Sequence, residues 1–302
     1  MLFLGIDIGG TNTKFGVMDE NYRIIKKDSI ETGAKRSADE ILADIIKKAD
    51  ELCHEYEIEA VGIGAAGRVD ATRGVLERAS NLPFSDTPIA EIVSNALGKQ
   101  ATLSNDARAA VCGELYAGAG RRYNTFAMIT LGTGVGGGIV IDKKMYLGKF
   151  GGAGEFGHVT VDMNGEKCRC GQVGCLEHYA SVTALIRQTE EAVKDHPEST
   201  LARLSEGGAT GRTAFDAMRA GCPVGSAVVD KYIEYVATGA TNVARVLQPD
   251  AIVIGGAISN EGDTLILPLR AKFKQRCDVV ASELKNDAGI IGAVAMLREA
   301  NP

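Results

Sequence analysis

The sequence predicts an α/β protein of two domains with a ligand cleft between them. Three observations lead there: 302 residues exceed what one ordinary core organises, apolar strand-like runs alternate with helical ones, and one device, a strand, a glycine turn and a second strand, occurs twice. Apolar residues at 45% and charged residues at 24% give the balance of a globular chain that buries a core, not of a disordered or membrane one. A formal net charge of −6 argues against nucleic acid or an anionic membrane as partner, which leaves small molecules. The opening decapeptide has no basic leader and its apolar run is broken by Asp7, while 127–141 is too short and glycine-rich to span a bilayer. A cytoplasmic protein is expected. Seven cysteines, an odd number without an export signal, argue against a disulfide framework.

Taken in order, Leu2 to Ile8 reads as a buried strand, Gly9-Gly10-Thr11 as a turn and Thr13 to Met18 as a returning strand. Ile41, Leu42, Ile45, Ile46, Ala49, Leu52, Cys53 and Tyr56 recur at helical spacing behind a capping box of Ser37 and Glu40. Ala60 to Ala65 and Ala101 to Leu103 are short buried strands, and Ala107 to Gly118 is a helix closed by glycine. The device then repeats: strand Thr125 to Thr130, glycine loop Gly132 to Gly138, strand Ile139 to Ile141. Pro223 suits the first turn of a long helix to Leu247, which Gln248-Pro249-Asp250 stops before strand Ala251 to Ile254 and a third glycine turn, Gly255-Gly256. Gly289 to Arg298 closes the chain as an apolar helix.

Four constellations carry chemistry. In the first, Asp7 sits inside an apolar strand, where an unpaired carboxylate is costly, so it needs a cation or donors; magnesium is the natural candidate. Gly9 and Gly10 let backbone N–H groups approach an anion, with Thr11 adding a hydroxyl and Lys14 a charge, a set that suits nucleotide phosphate; a tight hairpin turn is the plainer alternative. In the second, Gly132, Gly134 and Gly137 fit G-x-G-x-x-G, but a strand follows where a dinucleotide fold needs a helix, so a glycine hairpin against phosphate is the better account. In the third, Ser104-Asn105-Asp106 ends a strand and opens a helix; Asp106 is either a cap or, if the loops hold ATP, the carboxylate that accepts an alcohol proton. In the fourth, His158 with Cys168, Cys170 and Cys175 supplies four ligands for a closed, structural zinc site, which would fix the neighbouring carboxylates Glu155 and Glu177 for polyol recognition. His54 and His196 read as solvated, His178 as open between lining and packing roles, and Cys53, Cys112, Cys222 and Cys277 as small core hydrophobes.

Asp7-Ile-Gly9-Gly10-Thr11, Asn105-Asp106-Ala107, the Leu131 to Gly138 loop, Glu155-x-Gly-His158 and Cys168-x-Cys170-Gly-x-x-Gly-Cys175-Leu-Glu177 stand in one order along nearly the whole chain. In that order the motifs resemble those of the ROK family (repressors, uncharacterised frames and sugar kinases). The resemblance implies a ribonuclease-H-like, actin/hexokinase-type fold, with a smaller domain of residues 1–117 plus 289–302 and a larger one of residues 118–288 that carries the zinc loop. It implies an ATP-dependent sugar kinase, with Asp106 as general base. Asn105, Glu155, His158 and Glu177 would be sugar ligands, joined by Gly67, Ser80 and Asn81, with Arg68 beside them. Gly9, Gly10, Thr11, Lys14, Gly132, Thr133, Gly134, Gly136 and Gly256 would lie on the nucleotide side, Asp7 near magnesium, and His158, Cys168, Cys170 and Cys175 on zinc. Glucose phosphorylated at its 6-hydroxyl is the expected reaction, with N-acetylmannosamine and fructose as alternatives. Ala66-Gly67-Arg68 departs from the Pro-Gly common in the family and resembles N-acetylmannosamine kinases, and Arg108 replaces an Asn. A sugar-responsive repressor is the rival reading, disfavoured because Asp7 stands so near the start. A homodimer or homotetramer is expected.

Overall fold

The structure, a computed structural model, describes residues 1–79 and 81–300. In chain order it runs β1 (Leu2–Ile8), β2 (Asn12–Asp19), β3 (Ile24–Glu31), α1 (Ala38–Glu55), β4 (Ile58–Ala65), β5 (Arg68–Asp70), β6 (Val75–Arg78), β7 (Ser85–Thr87), α2 (Ile89–Leu97), β8 (Gln100–Asn105) and α3 (Asp106–Ala117). There follow β9 (Phe126–Leu131), β10 (Val135–Ile141), β11 (Lys144–Tyr146), α4 (Glu177–Ala180), α5 (Val182–Asp195), α6 (Thr200–Leu204), α7 (Thr213–Arg219), α8 (Pro223–Leu247), β12 (Ala251–Gly255), α9 (Asp263–Lys272), β13 (Asp278–Ala281) and α10 (Ala288–Ala300).

Two five-stranded sheets repeat one plan: β3-β2-β1-β4-β8 in the first, β11-β10-β9-β12-β13 in the second. In each, a glycine-tipped hairpin is antiparallel, and two further strands add in parallel on its open side. The duplication read from the glycine turns is therefore a duplication of whole sheets. A small sheet, β5-β6-β7, gave no signal in the sequence because its strands are three or four residues long.

Each sheet has its own core. Leu4, Ile6, Ile8, Phe15 and Val17 pack on Ile41, Ile45 and Ala49 of α1, which starts at the expected capping box. Ile129, Leu131, Ile252 and Ile254 pack with Tyr232, Ile233 and Val236 of α8, and Phe215 meets Tyr232 edge-on at 6.5 Å. Each fully buried large side chain contributes about 1.5–3 kcal/mol, which is why the apolar stripe of α8 persists over 25 residues. The closing helix α10 lies so near β1 and β4 that a Cβ on Gly5 or Gly62 would collide with the backbone of Ile290 or Ala293.

The chain divides into one unit, Met1–Arg121 with Asn286–Pro302, and a second, Arg122–Lys285. The first crossing falls past residue 117, where the sequence reading ends the small domain, and the second falls before residue 289, where that reading resumes it. The buried Glu114 carboxylate accepts the Ala119 N–H at 2.6 Å and so ties the following 3-10 turn, Ala119–Arg122, back to α3. The glycine loop is also shorter than expected from Gly132 to Gly138. Gly136, Gly137 and Gly138 belong to β10, paired with Thr130, Ile129 and Met128, and a Cβ on Gly137 would sit 2.5 Å from the Phe156 ring. Among the described residues no helix is long and apolar enough to cross a membrane.

Candidate active site and metal centre

In the first unit the chemistry-bearing side chains stand at the C-terminal ends of parallel strands, where open α/β sheets bind ligands. Asp7 is near the end of β1, Gly67 just beyond β4, and Asn105 and Asp106 at the junction of β8 with α3. The helix cap is Asn105, not Asp106: its Oδ1 accepts the Arg108 N–H at 3.1 Å. Its Nδ2 donates to the Gly67 carbonyl and to Asp106 Oδ1, both at 3.0 Å. Both amide hydrogens are thus engaged, and Asn105 sets the orientation of Asp106. Gly67 has φ +136°, and a Cβ there would collide with the Arg78 carbonyl, so only glycine fits. Arg68 is spent on Glu77, with Nε 2.6 Å from Oε2, although its side chain is 83% exposed. Asn81 lies beside the glycine turn, 3.8 Å from where a Cβ on Gly10 would be; Ser80 lies outside the described residues.

The sequence reading gives Lys14 to phosphate; the structure gives it first to Asp7. The two are cross-strand partners in β1 and β2, with Nζ 3.7 Å from Oδ2, and Lys14 also donates to the Asn286 carbonyl at 3.4 Å. Burial pushes the Asp7 carboxyl up to about 6, Lys14 pulls it down, and the charge of Asp106 adds to the rise. A raised carboxyl stabilises the fold fully below its unfolded value near 3.8, and that contribution is lost as pH rises through about 6. Asp7→Asn should therefore stabilise the metal-free protein at pH 7.5 by about 3 kcal/mol, at 1.36 kcal/mol per unit, and by little at pH 3.5. Denaturant unfolding at the two pH values checks this; a variant less stable than wild type at pH 7.5 contradicts it. Sequence reasoning missed Thr32, whose buried hydroxyl donates to the Gly9 carbonyl at 2.8 Å and meets Thr13 Oγ1 at 3.0 Å, bracing the first glycine turn.

In the second unit the β9–β10 turn comprises Gly132, Thr133 and Gly134, with Thr133 exposed. Gly256, at φ +81°, lies against it, and a Cβ there would collide with the backbone of Leu131. Phe156–His158 forms one 3-10 turn headed by the exposed Glu155. His158, Cys168, Cys170 and Cys175 come together with all four ligand atoms within 4.8 Å of one another. His158 Nδ1 is 3.7 Å from Cys168 Sγ, and Cys170 Sγ is 3.6 Å from Cys175 Sγ. Two sulfurs about 2.3 Å from a tetrahedral zinc would stand about 3.8 Å apart, so the donors fit that ion. Nδ1 faces the cluster, which leaves Nε2 for another partner. Burial pushes the Cys175 thiol up to about 12, whereas the Gln172 N–H holds Cys170 below its ordinary value.

The ROK family model matches residues 3–300 of this sequence. The chain belongs to the ROK family. A glucokinase of Streptomyces coelicolor is 38% identical over 100% of this chain and 99% of its own. One from Thermotoga maritima is 34% identical over 98% and 97%. The crystal structure of a ROK family glucokinase from Streptomyces griseus with glucose and AMPPNP superposes with a TM-score of 0.88, at 34% identity, over 99% of this chain and 100% of that one. The two-domain, actin/hexokinase-type fold expected of a ROK chain is the fold observed.

Beyond the family motifs, the ROK chain carries a brace that sequence reasoning missed. Glu166 pairs with Arg187 and, at 3.4 Å, with His178 Nδ1, and Arg187 donates to the His178 carbonyl at 2.8 Å. The Tyr179 hydroxyl accepts the Glu166 N–H at 3.2 Å. These contacts hold both ends of the cysteine loop, and they give His178 a packing role. The Arg187 and Glu166 pairing spans 21 residues, and neither position has a periodicity that marks it. Cys112 and Cys222 are buried and Cys53 and Cys277 half-buried, as core hydrophobes should be.

Proposed function

We propose that this chain transfers the γ-phosphoryl group of ATP to the 6-hydroxyl of glucose. The observation that carries the reading is Asp106, a carboxylate at the end of a parallel strand, oriented by Asn105 and sharing that end of the sheet with Asp7. In the reaction the 6-hydroxyl gives its proton to Asp106, its oxygen forms the new bond to the γ-phosphorus, and the bond to the β-phosphate oxygen breaks as ADP leaves. Backbone N–H groups of Gly10 and Thr11, of Thr133 and Gly134, and of Gly256 receive the phosphates, while Gly9 and Gly132 donate theirs within their own turns. Magnesium, for which Asp7 is the nearby carboxylate, supplies charge neutralisation on the phosphates when bound. Glu155, Glu177 and His158 Nε2 bind sugar hydroxyls; zinc on His158 Nδ1 and the three cysteines leaves no open position and supplies rigidity only. Because Arg68 is engaged by Glu77, it does not reach for an N-acetyl group, which favours glucose over N-acetylmannosamine.

The test is a coupled ADP-release assay with MgATP across glucose, mannose, fructose, N-acetylmannosamine and N-acetylglucosamine. Glucose should give the highest kcat/KM. Turnover of N-acetylmannosamine above glucose would transfer the assignment to that sugar, and no turnover with any of them would leave a sugar-binding protein.

A further inference from the structure

The turn that follows β9 is tied at three points to the segment that follows the cysteine loop. Val182 donates its N–H to the Gly132 carbonyl at 2.7 Å, and the Thr183 hydroxyl donates to the Thr133 carbonyl at 2.8 Å. The third tie differs in kind: the Val135 N–H donates to Glu177 Oε2 at 2.9 Å. Gly134 lies between them, and a Cβ placed there would meet Glu177 Oε2 at 2.5 Å. Val182 and Thr183 belong to the start of α5 and are fixed by it. The half-buried Glu177 side chain can leave by rotation, and among the described residues its Oε1 carries no hydrogen bond.

We propose that Glu177 couples the two substrates: a sugar hydroxyl on its carboxylate holds the rotamer that keeps Oε2 on the Val135 N–H, and so orders the turn that receives phosphate. The inference rests on the reading of Glu177 as a sugar ligand and of this turn as the phosphate site. A charge-assisted hydrogen bond to a backbone N–H is strong enough to select one turn conformation, and a ligand that favours that conformation shifts the population toward it. Coupling of this kind is reciprocal, so nucleotide must tighten sugar by the same factor that sugar tightens nucleotide. It also assigns a reason for glycine at 134. Its φ is not positive, and the contacts of an added Cβ are to Glu177 alone, so the backbone does not require glycine there but the Glu177 carboxylate does.

Gly134→Ala is the matching probe, since its methyl group displaces Oε2 from Val135 and meets nothing else. Calorimetry on the zinc-loaded protein measures AMPPNP affinity with and without saturating glucose, and glucose affinity with and without AMPPNP. The wild type should show one factor in both directions, of about fivefold or more. In Gly134→Ala the factor should fall below about twofold, with glucose and AMPPNP each binding more weakly but measurably and the melting temperature within about 2 °C of wild type. Hydrogen exchange on wild type provides a check that needs no variant: glucose alone should slow exchange at the Val135 amide. A coupling factor unchanged by Gly134→Ala, or Val135 exchange unaffected by glucose, overturns the proposal. Wild-type turnover with a factor of one removes this inference and leaves the kinase; no turnover with any sugar removes both.

Discussion

Asp106→Asn lowers kcat by about three orders of magnitude while glucose binding and melting temperature stay near those of wild type. Asparagine keeps the shape, and its Oδ1 still accepts the hydrogen bond that Asn105 Nδ2 now gives to Asp106 at 3.0 Å. The capping bond from Arg108 to Asn105 and the tie to Gly67 are untouched. What is removed is the negative charge and with it the ability to take a proton as the sugar oxygen attacks, and general-base removal typically costs a factor of 10²–10⁴. The same change relieves the repulsion that helps raise the Asp7 carboxyl, so the variant's acid limb should move to lower pH. Steady-state kinetics with glucose, beside calorimetric glucose binding, decide the matter. If kcat falls less than tenfold, proton transfer is not what Asp106 contributes; if glucose affinity falls with kcat, Asp106 is a binding group first.

Much of this arrangement was legible in the sequence, for identifiable reasons. Strands β1, β9 and β12 are largely apolar runs with glycine at or beyond their ends, and α8 begins at its proline and ends at Leu247, because those signals are local. The cysteine cluster was legible because three candidate ligands fall within eight positions, with two glycines between the second and the third. What sequence reasoning could not supply is how polar groups are spent. Lys14 turns to Asp7 because the hairpin register pairs them, Asn105 turns inward because the Gly67 carbonyl arrives from the link beyond β4, 38 residues away, and Arg68 turns to Glu77 across a three-stranded sheet that no periodicity announced. Each choice depends on a long-range neighbour, and residue type alone does not reveal it.

Removal of zinc, by chelation or by Cys175→Ser, should cost turnover at least tenfold and destabilise the second unit far more than any surface substitution. Within the loop, Cys168 to Gln172 closes on two backbone bonds, Cys168 N–H to the Gln172 carbonyl at 2.8 Å and Gly171 N–H to the Cys168 carbonyl at 3.0 Å, and Gly174, at φ +67°, is wedged against the backbone of Asp162. Glu177 follows the last ligand by two residues and Glu155 precedes the first by three, so loss of the proposed metal would loosen the backbone under both carboxylates, with Glu177 still tied to the Val135 N–H. The Glu166 brace limits the damage to the loop and its flanks, so the sheet itself should persist in circular dichroism. The pH dependence has a definite sign. Without metal the Cys175 thiol, pushed up to about 12, is protonated at neutral pH and must release that proton to bind zinc, so affinity rises with pH between 6 and 8. Metal analysis should find one zinc per chain in wild type and none in Cys175→Ser. Full turnover in zinc-free protein would mean that Glu166 and Arg187, not the metal, orient Glu177.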